Sequence, residues 1–174
     1  MRNSYPGALA LSRKVLRVVI ILNLLEGGFI LALLIATLVA EGPVMRALGV
    51  PPAAFNPGLF LGMRLIMVLG IGAVPVVHFV LTRLLAMVQT VSVENPFVSA
   101  NTARLKSIAW ALLVLQLMNF AVAGVASRIS SAAVPLDISW DFSVSPWLAV
   151  LLLFVLARVF EQGVHMREEL EGTV

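Results

Sequence analysis

The chain contains no cysteine and only two histidines among its 174 residues. The absence of cysteine excludes disulfide bonds, thiol catalysis and thiolate metal sites. Two histidines cannot supply a structural zinc site unless several carboxylates also bind the metal. The sequence also has no Ser-His-Asp arrangement, no phosphate-cradling glycine loop and no HExxH motif. We therefore predict a protein that is not an enzyme, with no catalytic residue, no metal site and no cofactor.

Charged residues are scarce as well. They make up 12% of the sequence, whereas 60% of the residues are hydrophobic and the mean hydropathy is +1.02. Ordinary soluble domains carry about twice this share of charge, so several segments must lie in lipid. The net charge of +3 comes from Lys and Arg clustered at the ends of apolar runs. Membrane orientation explains that clustering better than nucleic-acid binding does, so we predict no direct contact with nucleic acid.

Four apolar runs are long enough to cross the hydrocarbon of a bilayer as helices, which takes about 20 residues. The first run is too long for the apolar region of a signal peptide, so we interpret it as a retained helix. Pro75 lies inside the second run and predicts a kink there. The predicted fold is an all-α integral membrane four-helix bundle that forms a single transmembrane domain over residues 1–174, with spans at about 15–40, 59–87, 104–127 and 146–165.

Lys and Arg are distributed unevenly between the two sides that four spans define. Cytoplasmic loops carry an excess of these residues, so we predict that the richer side is cytoplasmic and that both termini lie on it. The poorer, outer side holds Arg46, Arg64 and Arg128. The richer side holds Arg2, Arg13, Lys14, Arg17, Arg83, Arg104, Lys106, Arg158 and Arg167.

One acidic residue, Glu26, lies in the middle of the first run. A charged side chain at the bilayer centre costs on the order of 2.5–3.5 kcal/mol, so it usually faces other helices. Asn23 projects from nearly the same face, three residues earlier. The opposite side carries small residues at every fourth position, which lets helices approach closely: Gly28, Ala32, Ala36 and Ala40. These features predict a first helix that is surrounded by other helices.

Two polar residues of the third run, Gln116 and Asn119, fall at about the depth of Glu26 when each helical residue rises 1.5 Å. We therefore predict an intramembrane polar cluster of Asn23, Glu26, Gln116 and Asn119. One interpretation is structural, with hydrogen bonds between helices worth about 0.6 kcal/mol each. The other is a proton-sensitive or ligand-binding site, because carboxylates inside membranes are often functional.

Arg64 lies nearer the outer surface at the start of the second span. Asp137 and Asp141, in the outer loop between the third and fourth spans, are its predicted ion-pair partners. Pairing with Glu26 would require the second helix to lie deeper, and the remaining alternative is a side chain that extends outward to water.

The outer loop also changes its hydrophobic period. Residues 136–144 alternate strictly between apolar and polar side chains, which predicts a short extended segment between helices 3 and 4. The segment is interpreted either as a loop that lies over the helix ends, with its aromatic residues in the interface, or as a lid or β-hairpin that closes a pocket.

Two stretches resemble a known family. The first is Asn95-Pro96-Phe97 followed by Asn101 and Arg104-Leu105, and the second is Val159-Phe160-Glu161-Gln162-Gly163 with the ending Met166-Arg167-Glu168-Glu169-Leu170-Glu171-Gly172-Thr173-Val174. Together they are similar to the domain of unknown function 2975 family, the YoaS-like bacterial four-helix integral membrane proteins. The resemblance implies a multi-pass protein of the bacterial cell (inner, or plasma) membrane whose molecular function is not established.

Genes of that family often lie beside a gene for a small helix-turn-helix regulator. The leading hypothesis is therefore a membrane-embedded regulator or sensor that binds a small cytoplasmic helix-turn-helix transcription factor. The alternative is a small transporter or channel subunit, acting as a homo-oligomer, that uses the polar cluster around Glu26. The residues predicted to bind the cytoplasmic partner are Asn95, Pro96, Phe97, Asn101, Arg167, Glu168, Glu169 and Glu171.

Overall fold

The structure, a computed structural model, describes residues 6–91, 99–130 and 144–171, with side chains for residues 10–89, 100–130 and 144–166. Every regular element in these ranges is a helix, which confirms the predicted all-α class. The helices are α1 (Pro6–Val39), α2 (Glu41–Ala47), a 3₁₀ turn (Pro52–Ala54), α3 (Pro57–Val91), α4 (Ser99–Ile129) and α5 (Val144–Glu171). Residues 136–143 of the predicted extended segment 136–144 lie outside the described residues, and the prediction is wrong for Val144, which begins α5.

Four of these helices are long and apolar enough to cross a membrane, so the chain is a multi-pass membrane protein. Their apolar stretches are Ala10–Val39, Pro57–Gln89, Ala100–Ile129 and Val144–Met166. Each predicted span lies within one helix, except that the first was predicted to reach Ala40, one residue beyond α1. Pro75 lies inside a continuous α3, where its missing N–H leaves the carbonyl of residue 71 without the usual helical donor.

Local sequence signals explain where α2 ends and α3 begins. Gly49 follows α2 with a φ of 82°, a left-handed conformation that glycine adopts without strain. Asn56 caps α3, because its side-chain oxygen accepts a hydrogen bond from the backbone N–H of Leu59 at 2.8 Å. Pro57 then occupies the first helical position, where no N–H is needed.

The long helices pack in the order in which they occur along the chain. α1 packs on α3, α3 on α4 and α4 on α5, and the short α2 packs on α1. Among the described residues, the other pairs of long helices make at most marginal contact. The helices therefore form an open row with α1 at one edge and α5 at the other. The prediction that α1 is surrounded by helices is wrong for a single chain, since α1 packs on α3 along one face.

Small residues set the spacing between neighbouring helices. A Cβ atom built on Gly27 of α1 would lie 2.9 Å from Val74 Cγ2 of α3, and one built on Gly62 of α3 would overlap Ile129 of α4. Further inward, a Cβ built on Gly72 would lie 3.2 Å from Met118 Cε of α4. Gly70 of α3 also lies against Ile30 of α1, with 3.5 Å between its Cβ position and Ile30 Cδ1, so the paired contacts show that α3 runs antiparallel to both α1 and α4.

The fourth spanning helix begins well below the outer end of its neighbour. Pro146, in the first turn of α5, borders the same groove as Asn119. The outer end of α4 at Ile129 is instead level with Gly62. The difference along α4 is about three helical turns, or roughly 15 Å. In the described structure, α5 therefore does not cover the outer third of α4.

We expect topology reporters to place both ends of the chain in the cytoplasm. Antiparallel packing puts the α1–α3 connection at the same end as the outer end of α4, and the basic bias assigns that end to the outside. Fusions of alkaline phosphatase and of green fluorescent protein at residues 50 and 135 should report an external position. The same fusions within residues 88–103 should report the cytoplasm. Cytoplasmic activity at residue 50 or 135 would overturn the assignment.

Candidate functional site

Four polar side chains that the sequence places at similar depth lie near the middle of the apolar stretches of α1 and α4. Glu26 and Gln116 each lie 16 residues into 30-residue apolar stretches, which begin at Ala10 and Ala100. Contacts with α3 also place Glu26 and Gln116 at similar heights. Gly27 of α1 contacts Val74 of α3, and Gly72 of α3, two residues before Val74, contacts Met118 of α4. The helix α3 lies between α1 and α4, however, so sharing a layer does not bring these side chains into contact.

Asn23 connects α1 to the backbone of α3. Its side-chain Nδ2 donates a hydrogen bond to the carbonyl of Val74 at 3.1 Å, and the residue is 7% exposed. The acceptor precedes Pro75 on the face that Gly27 lets α1 approach closely. Asn23 therefore has the structural role of a polar contact between helices, with α3 as its partner rather than Gln116 or Asn119.

Glu26 lies on the exposed side of α1. Its neighbours on that face are apolar and also exposed, with Leu22 at 57%, Leu25 at 64% and Phe29 at 68%. Among the described residues, Glu26 makes no hydrogen bond or ion pair. Within one chain its carboxyl group therefore faces the hydrocarbon of the bilayer, where a charged form costs on the order of 2.5–3.5 kcal/mol.

Gln116 and Asn119 line a groove between α4 and α5. The groove has a volume of about 290 Å³ and is otherwise bordered by apolar side chains and Pro146. Asn119 is exposed and Gln116 is half-buried. The four residues of the predicted cluster are therefore separated within a single chain. Asn23 of α1 binds α3, Glu26 lies on the open face of α1, and the two amides line the α4–α5 groove.

Arg64 joins three helices at the outer end of the row. One guanidinium nitrogen, Nη2, donates to the backbone carbonyl of Thr37 at 2.6 Å and forms an ion pair with Oε1 of Glu41. Arg64 thereby ties the last turn of α1 and the first turn of α2 to α3. A cation beside the carbonyls of a helix C-terminus is favourable.

The partner of Arg64 was missed by the sequence analysis. Glu41 immediately follows the first span, so the acid nearest to the outer end of α1 was the available signal. Asp137 and Asp141, the predicted partners, lie outside the described residues. The alternative pairing with Glu26 is not formed, because Arg64 is level with Thr37, eleven residues further along α1.

The N-terminal end of α4 and the C-terminal half of α5 hold two further polar contacts. Arg104 donates to Oδ1 of the buried Asn101 at 3.0 Å, and Arg158 donates to Oε2 of Glu161 at 2.8 Å. The second contact is an ion pair between residues three positions apart on α5. Among the residues described, no group of three or more His, Cys, Asp or Glu residues is placed to hold a metal ion.

The predicted partner-binding residues are described unequally by the structure. Asn101 is 1% exposed, so its side chain holds Arg104 rather than facing the cytoplasm. Asn95, Pro96 and Phe97 lie outside the described residues. The backbone of α5 continues as helix through the remaining four, whose side chains are not described: Arg167, Glu168, Glu169 and Glu171.

Comparison with known proteins gives a family and no molecular activity. No curated protein and no solved structure matches the chain. A family model described as a protein of unknown function, DUF2975, matches residues 33–174, from the outer end of α1 through the remaining three spanning helices. The match covers well over half of the sequence and includes the two stretches on which the resemblance was based. The chain therefore belongs to the DUF2975 family of proteins of unknown function.

Proposed function

We propose that this protein is a membrane-embedded regulator of the bacterial inner membrane that binds a small basic cytoplasmic protein, such as a helix-turn-helix transcription factor. One observation carries the proposal: α5 continues as a helix beyond its apolar stretch, from Met166 to Glu171. Phe154 of α5 packs against Trp110 of α4, so the start of α4 at Ser99 is level with about residue 165, and α5 continues roughly 9 Å beyond it. The excess length extends α5 from the membrane on the side assigned to the cytoplasm.

The charge of this extension supports a basic partner. Residues 167–171 include Glu168, Glu169 and Glu171 against a single basic residue, Arg167. The cytoplasmic surface of the bilayer is itself negative, so an acidic segment gains nothing by lying on it. A helix that carries acids away from an anionic surface is suited to a protein with a basic surface, such as the one with which a DNA-binding regulator contacts phosphates.

The chain leaves α3 and enters α4 at the same end of the row as the extension. Asn95, Pro96 and Phe97 belong to the inner loop predicted from the sequence, and we assign them to the same binding surface. The family resemblance supports this choice of partner, because genes of the family often neighbour a gene for a helix-turn-helix regulator. Asn101 is a different case, since its buried side chain fixes the start of α4.

Deleting residues 167–174 is expected to abolish co-purification of the partner without affecting membrane insertion. The measurement is affinity purification after co-expression with the helix-turn-helix protein encoded by the adjacent gene. The matched variants keep the full length: Glu168→Gln/Glu169→Gln/Glu171→Gln should weaken binding by removing charge, and Glu168→Asp/Glu169→Asp/Glu171→Asp should retain it. Full retention of the partner by the truncated protein would refute the proposed role of the extension.

A second candidate function, a small transporter or channel subunit, is supported by one observation. The groove beside Gln116 and Asn119 lies at the depth of Glu26 and has room for a small polar solute. Within one chain, α3 separates that groove from Glu26, so a transport path that uses all three residues requires more than one copy. This requirement makes the oligomeric state of the protein the next question.

A further inference from the structure

We propose that Glu26 of one chain inserts into the groove between α4 and α5 of a second copy and forms hydrogen bonds with Gln116 and Asn119 there. The proposal concerns self-association within the membrane. It is independent of the cytoplasmic partner, because it involves neither the inner loop nor the acidic extension of α5.

The unsatisfied carboxyl group is the first reason to expect a partner for this face. Glu26 projects among Leu22, Leu25 and Phe29, which are all more than half exposed. Such an apolar surface is compatible with lipid, but a carboxyl group in its centre is not. Ionisable residues within spanning helices almost always face another helix or a water-filled cavity. Within the part of the chain that the structure describes, Glu26 faces neither another helix nor a water-filled cavity.

The groove between α4 and α5 supplies what the carboxyl group lacks. Gln116 and Asn119 each carry an amide NH₂ that can donate to a carboxyl oxygen, and each also has a carbonyl that can accept from a protonated one. The groove of about 290 Å³ corresponds to roughly ten water volumes, which is enough space for a glutamate side chain. The rest of its lining includes Leu112, Leu115 and Val150, which can pack against the apolar neighbours of Glu26.

Depth selects a second copy of this chain as the occupant. Glu26 and Gln116 lie equally far into parallel spans of equal length, so two chains inserted with the same orientation place them at the same level. No vertical shift of one chain against the other is needed. A second copy of the chain always has its groove at the depth of Glu26, whereas an unrelated protein would have a matching site at that depth by coincidence.

The open row explains why the contact forms between chains rather than within one. The Glu26 face belongs to the edge helix α1, and the groove belongs to the opposite edge, with α3 between them. In a two-fold dimer each chain gives one Glu26 and receives the other, so the contact occurs twice. The dimer would surround α1 with helices, as the sequence of α1 predicts.

Chemical cross-linking can test this arrangement directly, because the chain has no cysteine of its own. The variant Leu22→Cys/Ala149→Cys places one thiol a helical turn before Glu26 on the same face of α1 and one on the exposed border of the groove. In vesicles of phosphatidylethanolamine and phosphatidylglycerol, a short bis-maleimide should convert it to covalent dimers. The matched control is Leu24→Cys/Ala149→Cys, because Leu24 is similarly exposed but lies two residues further on, about 200° around the helix from Leu22. Equal dimer yields from the two pairs would overturn the proposal.

A second measurement tests the hydrogen bonds. Self-association followed by fluorescence energy transfer, as the protein is diluted with lipid, should weaken roughly tenfold for Glu26→Leu, since a two-fold dimer loses two polar contacts. Glu26→Gln keeps a hydrogen-bonding side chain and should associate like the wild type. Leucine suits a lipid-facing helix position, so Glu26→Leu should insert and fold. Unchanged association of Glu26→Leu, or a wild-type protein that is monomeric throughout the dilution, would refute the contact.

Discussion

Replacing Gly27 with leucine is expected to destabilise the protein by about 1–3 kcal/mol, the usual effect of forcing extra volume into a packed interface. Even the first added carbon would lie 2.9 Å from Val74 Cγ2, so α1 and α3 must move apart. Val74 is β-branched and has little rotamer freedom in a helix, so it cannot turn away. The separation would also lengthen the Asn23–Val74 hydrogen bond, now 3.1 Å. Thermal unfolding in detergent, followed by circular dichroism, measures the loss.

The adjacent glycine provides a matched control for this substitution. A Cβ on Gly28 would have no atom within 4 Å, so Gly28→Leu introduces the same side chain at an open position. Leucine has a higher helix propensity than glycine, and this variant should therefore be as stable as the wild type or slightly more so. If both variants lost stability equally, the effect would come from the bulk of leucine in α1 and not from the packing of α1 on α3.

Replacing Arg64 with alanine is expected to cost about 1.5–3 kcal/mol, the range for hydrogen bonds that involve a charged group. The contact with the Thr37 carbonyl carries most of this value, because Thr37 is 0% exposed and its carbonyl would lose a partner away from water. The ion pair with Glu41 should contribute less, since the Glu41 side chain is 45% exposed. Loss of Arg64 should also increase hydrogen exchange at the C-terminal end of α1.

Two further variants separate the contributions at Arg64. Glu41→Gln should lower the free energy of unfolding by much less than Arg64→Ala does. The double variant should be as stable as Arg64→Ala alone, because Arg64→Ala has already removed the ion pair. Arg46→Ala is the matched arginine control: Arg46 is exposed and donates to the Gly42 carbonyl within its own helix at 3.3 Å. Equal losses of unfolding free energy from Arg46→Ala and Arg64→Ala would show that Arg64 does not stabilise the packing of α1 and α2 on α3.

The sequence predicted the spanning helices well because their signal is physical and local. An apolar run either reaches across about 30 Å of hydrocarbon or it does not. Pro57 and Pro146 lie in first turns, where a proline costs no hydrogen bond. The same reasoning placed Glu26 and Gln116 at one depth, which the contacts of α3 with its two neighbours support.

The choice of neighbours for each helix could not be predicted in the same way. Lipid tails are as apolar as leucine side chains, so hydropathy does not distinguish a face that packs on protein from one that faces lipid. Gly27 and Gly28 illustrate the difficulty, because adjacent glycines of one helix have opposite environments. Arg64 illustrates it again, since its partner Glu41 is 23 residues away in sequence and becomes close when α1 packs on α3.

The open row also determines how the chain can assemble during its synthesis. Each long helix packs on the one made just before it, so no helix of a single chain must wait in the bilayer for a distant partner. Bacterial and other ribosomes add about 5–20 residues per second, so each interface can form within seconds of the helix being made. Glu26 is the exception. It enters the membrane with the first helix, whereas the groove proposed to receive it is complete when α5 of another chain has been inserted. In the proposed arrangement, pairing of chains would therefore be the last step of assembly.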